Sequence, residues 1–120
     1  MAQASIPKEG EARSVAAQNR RASIRYRCAP ATIGKVISTH DQEFQRAWIL
    51  DLSLKGMGMQ LARPLVPGHL IIVTMKDNAG RKTFELTGHV AFCASLHHGD
   101  WHVGCEFTTQ LTVEELDQLL

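Results

Sequence analysis

Two stretches of this sequence have the residue types and spacing for chemistry on a flat, phosphate-bearing ligand. The first is RRASIR, residues 20–25, with Arg20, Arg21 and Arg25. Arg27 follows, and no acidic residue occurs from Asn19 to Gly34. Arg21 and Arg25 are four apart, which puts them on one side of the chain whether the segment is helical or extended. The second stretch is DLSLKG, residues 51–56, with Asp51, Ser53 and Gly56. Asp51 and Ser53 are two apart at a strand end and share a face, and Gly56 marks a turn or a close backbone approach. Arginine forks bond guanine O6 and N7, or phosphate, in a bidentate way, and they stack flat on bases. A carboxylate accepts from guanine N1 and N2, an edge that adenine does not offer in the same arrangement. Each good bidentate pair contributes about 1–3 kcal/mol of discrimination, and a micromolar complex needs about 8 kcal/mol in all.

The rest of the chain must position these groups. Its 120 residues are enough for one domain with a modest core, and 44% hydrophobic with 21% charged residues is ordinary globular composition. A net charge of only +1 argues against coating nucleic acid through a general field, so an anion must be met locally. No run approaches the roughly 20 apolar residues that span a bilayer, and the N-terminus lacks the apolar core of a signal peptide. A cytoplasmic protein is therefore expected. Cys28, Cys93 and Cys105 are odd in number and form no CxxC, which argues against a disulfide framework or zinc ribbon.

Residues 1–19 have few large apolar groups and read as a flexible tail. Beyond them the apolar period is two. In KTFELTGHVAFCASL, alternation predicts Phe84, Leu86, Gly88, Val90, Phe92, Ala94 and Leu96 inward, with Gly88 as the site of a bend or bulge. WHVGCEF returns as a hairpin partner with Trp101, Val103, Cys105 and Phe107 inward. RAWILDLS is expected to turn Trp48, Leu50 and Leu52 in and Ile49, Asp51 and Ser53 out, and Met57, Met59 and Leu61 form a further inward face. HLIIVTM and ATIGKVIS complete about six strands. LTVEELDQLL then carries a capping box, Thr112 with Glu115, ahead of an apolar stripe of Val113, Leu116, Leu119 and Leu120. The expected fold is all-β: a small six-stranded antiparallel barrel over about 31–108, with a short C-terminal helix over about 112–120.

Within that frame the two motifs resemble those of PilZ domains. RRASIR matches the family's RxxxR at Arg21 and Arg25, and DLSLKG matches its [D/N]xSxxG at Asp51, Ser53 and Gly56. ELTGHVAF is similar to the family's Gly-x-Val strand, and HVGCEF, with Gly104 and Phe107, to its GxxF ending. The resemblance runs over residues 20 to about 108. It implies a stand-alone, non-catalytic receptor, without a cofactor, for the bacterial second messenger cyclic di-GMP. Arg20, Arg21 and Arg25 would hold guanine and phosphate groups from the N-terminal segment, and Asp51, Ser53 and Gly56 would contact the nucleotide from the barrel surface. Arg20 occupies the position that in the family influences whether one nucleotide or an intercalated pair binds. Ligand would order the N-terminal segment and signal to a downstream protein partner.

Other readings fit fewer residues. RRASI has the form of a basophilic kinase site at Ser23, which leaves DLSLKG without a role. A basic arm gripping RNA or DNA finds few stacking platforms, and an interaction module that no longer binds nucleotide would not need both motifs. His89, Cys93 and His97 share a strand face, but ligands four apart on a strand are ~13 Å from each other, too far for one metal ion. No Ser-His-Asp order, carboxylate pair or phosphate loop supports catalysis.

Overall fold

A computed structural model of the chain describes residues 24–41 and 43–120. The expected tail, Arg20 and Arg21 lie outside the described residues. The alternating stretches form strands β1 (Tyr26–Arg27), β2 (Ile33–Ser38), β3 (Gln45–Leu52), β4 (Gly56–Leu61), β5 (Leu70–Lys76), β6 (Thr83–Ser95) and β7 (Trp101–Phe107). All pair antiparallel. The order β3-β2-β5-β6-β7-β4 is closed by a β3–β4 pairing, so six strands make the expected barrel and no barrel strand is left as an edge. The two-residue β1 is added outside the ring, against the end of β3, with Tyr26 opposite Leu52 and Arg27 opposite Asp51.

The interior is filled from every barrel strand by Val36, Ala47, Ile49, Leu52, Met57, Met59, Leu61, Ile71, Val73, Val90 and Val103, each almost fully buried. Helix α1 (Val113–Leu119) starts at Thr112, whose hydroxyl accepts from the Glu115 N–H while the Glu115 carboxylate accepts from the Thr112 N–H. This is the expected capping box, worth about 1 kcal/mol. The helix adds Leu116 and Leu119 to the core, with Val113 packed beside them and Leu120 left exposed. Its last turn is tied to the β5–β6 turn by the Asn78 N–H, which donates to the Gln118 carbonyl at 2.8 Å.

Two bulges correct the inside–outside pattern read from simple alternation. In β3 the register with β4 slips between Ile49 and Asp51. One extra residue reverses the faces on one side of it. Ala47 and Ile49 therefore point in, Trp48 points out, Leu50 is half-buried, and Leu52 points in as expected. In β6 the register with β7 slips between Val90 and Phe92. Phe84, Leu86 and Val90 are buried, but Phe92 and Ala94 are exposed, and Cys93 packs against the core instead. The bulge is thus two to four residues beyond Gly88. Gly88 is needed for another reason: a Cβ there would lie 2.4 Å from the Glu106 carbonyl oxygen of β7. Ser53 is also inside, not outside, at 4% exposure.

Candidate functional site

The DLSLKG turn is built by its serine. Strand β3 ends at Leu52, and the Ser53 side chain folds inward over the turn. Its hydroxyl accepts from the N–H groups of Lys55 (3.2 Å) and Gly56 (3.1 Å), and the Ser53 N–H donates to the Gly56 carbonyl at 2.9 Å. A serine that satisfies backbone donors in this way fixes a tight turn. The turn is also held from the far end of the barrel chain. Phe107 N–H donates to the Lys55 carbonyl, and Leu111 N–H to the Leu54 carbonyl. Gly56 is obligatory here because a Cβ would lie 2.1 Å from the Cys105 carbonyl oxygen of β7, a backbone atom that cannot yield.

Asp51 stands on the outer side of this frame. Its Oδ1 accepts from Arg25 Nη1 at 2.6 Å and from the Gly58 N–H at 3.1 Å. Among the described residues Oδ2 has no hydrogen-bond partner. The carboxylate lies directly over Gly58, where a Cβ would come within 3.0 Å of both oxygens. The structure thus joins the two sequence motifs through one ion pair, 26 residues apart in the chain. With half of the arginine side chain in solvent, such a pair contributes only about 0–1 kcal/mol to folding.

Cross-strand register explains the shape around that pair. Asp51 is opposite Gly58, Gly58 opposite Gly104, and Gly104 opposite Phe92. The Phe92 ring lies over Gly104, where a Cβ would meet it at 2.2 Å. Gly58 and Gly104 therefore give room to the Asp51 carboxylate and the Phe92 ring that lie over them, with Arg25 beside Asp51. A trough of about 230 Å³ opens there, lined by Arg25, Lys55, Gly56, Phe92 and Gly104 among others. On the other side of Arg25 is a larger cleft of about 740 Å³, bounded by Arg27, the 28–32 connection, Trp48, Leu50, Asp51, Gln60 and His102. A volume of this size is ordinary for a small-molecule site.

Cys28 also faces the larger cleft. Burial, and secondarily the Asp51 charge, push its thiol up from 9.0 to about 11. At neutral pH it is a thiol and a poor nucleophile. Among the described residues no group of three or more His, Cys, Asp or Glu is placed to hold a metal ion. His89 faces Glu106 at 3.3 Å, and His98 faces Asp100 at 3.7 Å, both near solvent.

The molecule is a closed six-stranded barrel that carries an arginine–carboxylate pair over Gly58 on its outer face. The sequence matches the PilZ domain family over residues 19–120, nearly the whole chain, and the protein belongs to that family. PilZ domains are known as non-catalytic modules that bind cyclic di-GMP. No curated protein matches the sequence significantly. Among the described residues no helix is long and apolar enough to cross a membrane.

Of the residues expected at the site, Arg25 and Asp51 are in contact, Ser53 and Gly56 shape the turn beneath them, and Arg20 and Arg21 lie outside the described residues. Gly58, Trp48, Gln60 and His102 also border Asp51 or its cleft and are not among the residues expected at the site. The repeated glycine of KGMG is the one local signal for Gly58, since a glycine inside a strand marks a close approach.

Proposed function

We propose that this chain is a receptor for cyclic di-GMP and acts without catalysis. The observation that carries the reading is the Arg25–Asp51 pair over the Gly58 backbone, in a PilZ domain. The ligand has two phosphates and two guanines, so it offers anions to arginine and an N1/N2 donor edge to a carboxylate. On binding, Arg25 leaves Asp51 for a phosphate or for guanine O6 and N7. Asp51 then accepts from guanine, with Oδ2 already without a partner among the described residues. A charge-assisted hydrogen bond contributes about 1.5–3 kcal/mol, so three or four such contacts exceed the weak ion pair they replace and reach micromolar affinity.

Arg20 and Arg21, close to Arg25 in sequence, add further cations for the phosphates, and a partner protein reads the ligand-bound surface. Ser53 and Gly56 act by holding the turn that presents Asp51, and Gly56 also forms part of the trough floor. The test is calorimetric titration with cyclic di-GMP against cyclic di-AMP, using wild type and Arg25→Ala. Micromolar or tighter binding, selective for the guanine ligand and about a hundredfold weaker in the variant, supports the receptor. A folded, nucleotide-free wild type that gives no heat leaves an interaction module instead. Steep salt dependence without guanine preference would point to a nucleic-acid arm.

A further inference from the structure

The bulge in β3 does more than reverse a pattern. Trp48 and Asp51 are three apart, a spacing that puts two residues on opposite faces of a regular strand. The extra residue between Ile49 and Asp51 brings both to the outer face. Trp48, 40% exposed, thereby becomes a wall of the 740 Å³ cleft that Arg25, Arg27 and Asp51 also line. Its cross-strand neighbours are Ile33 on one side and Gln60 on the other, and Gln60 is opposite His102. The end of the cleft is thus polar. Gln60 is held there by Asp100, whose Oδ2 accepts from its Nε2 at 2.8 Å.

A single exposed tryptophan on a protein surface is unremarked by itself. This one differs because two arginines and a carboxylate share its depression. An indole is the side chain on which a nucleobase stacks best while its other face remains open to a guanidinium. We propose that Trp48 is a base-stacking wall, and that one purine of the bound nucleotide lies in the cleft between Trp48 and the Arg25–Arg27 side. The proposal rests on the nucleotide-receptor reading and adds a position-specific contact outside the two arginine and aspartate motifs. It makes Trp48 a binding residue, where inward alternation would have made it core.

The test combines tryptophan fluorescence with calorimetry, using cyclic di-GMP on wild type, Trp48→Phe and Trp48→Ala. Wild-type emission is expected to change on saturation. Trp48→Phe is expected to bind within about threefold of wild type yet lose that change, because Trp101 remains but does not line the cleft. Trp48→Ala is expected to lose about 5- to 150-fold in affinity, the range measured for one base–aromatic stack. The proposal is overturned if Trp48→Ala binds within twofold of wild type. It is also overturned if wild type binds by calorimetry with no fluorescence change, a readout that holds even where the alanine variant folds poorly. Absence of binding heat in wild type overturns the receptor reading, and this proposal with it.

Discussion

The two outer faces of this barrel differ in what their side chains leave open. On the β2–β5–β6 side, Lys35, Thr74 and Glu85 are opposite one another, as are Ile37, Ile72 and Thr87. Every position carries a side chain, and the surface is an ordinary mix of charged, polar and apolar groups. On the β3–β4–β7 side, Gly58 and Gly104 occupy the middle of one row, and Gly56 the next position along β4. The strands are built alike, and the hydrogen-bond ladders continue through both faces. What separates the two faces is the absence of three side chains, which lets Asp51 and Phe92 lie over the backbone, combined with one bulge that brings Asp51 and Trp48 out together.

The largest expected effect on this contrast comes from filling its tightest point. Gly56→Ala places a Cβ 2.1 Å from the Cys105 carbonyl, and the resulting strain should cost about 2–3 kcal/mol or more. A thermal or urea melt would show it, and an unchanged midpoint would mean that β4 and β7 are not this close. Next is the ion pair. Arg25→Ala should weaken cyclic di-GMP binding by about a hundredfold, the loss of one or two charge-assisted contacts, while its melting midpoint stays near wild type.

Gly58→Ala sharpens the comparison further. Its Cβ would reach within 3.0 Å of both Asp51 oxygens, so the carboxylate must swing away while the β ladder survives. About tenfold weaker binding with little change in stability is expected, the scale of one modest polar contact. If affinity is unchanged, Asp51 does not act from its position over Gly58. On the opposite face, Lys35→Ala should alter stability by less than about 0.5 kcal/mol and leave calorimetric affinity at the wild-type value. A large effect there would erase the distinction between the two faces.

A separate expected effect is at high pH. Burial raises the thiol of Cys28 from 9.0 to about 11 and that of Cys105 to about 12, with Asp51 and Glu106 adding to the respective shifts. Both are groups whose neutral form is favoured in the fold. Their contribution is complete below about pH 9 and is lost as pH rises from 9 through the folded values. Denaturation midpoints should therefore fall between pH 9 and 11, and fall less in Cys28→Ala.

Much of this molecule is legible along the chain. Period-two alternation marks the barrel strands, Thr112 with Glu115 marks the helix start, and the paired arginine and aspartate motifs mark the site. These are local signals: a strand buries alternate residues, a cap satisfies the nearest free N–H groups, and a motif is a spacing. The faces of Trp48, Phe92 and Ser53 are not legible in that way. Two of them depend on bulges, and a bulge exists only relative to the partner strand whose register it interrupts. Ser53 depends on a turn pinned by Phe107 and Leu111, more than fifty residues away. The sequence by itself determined the six barrel strands, the helix and the two motifs that hold Arg25 and Asp51. Only the tertiary structure decided that they meet at 2.6 Å over Gly58, because the pairing of β1 on β3 carries Arg25 to Asp51 and the β3–β4 pairing that closes the barrel sets Gly58 beside it.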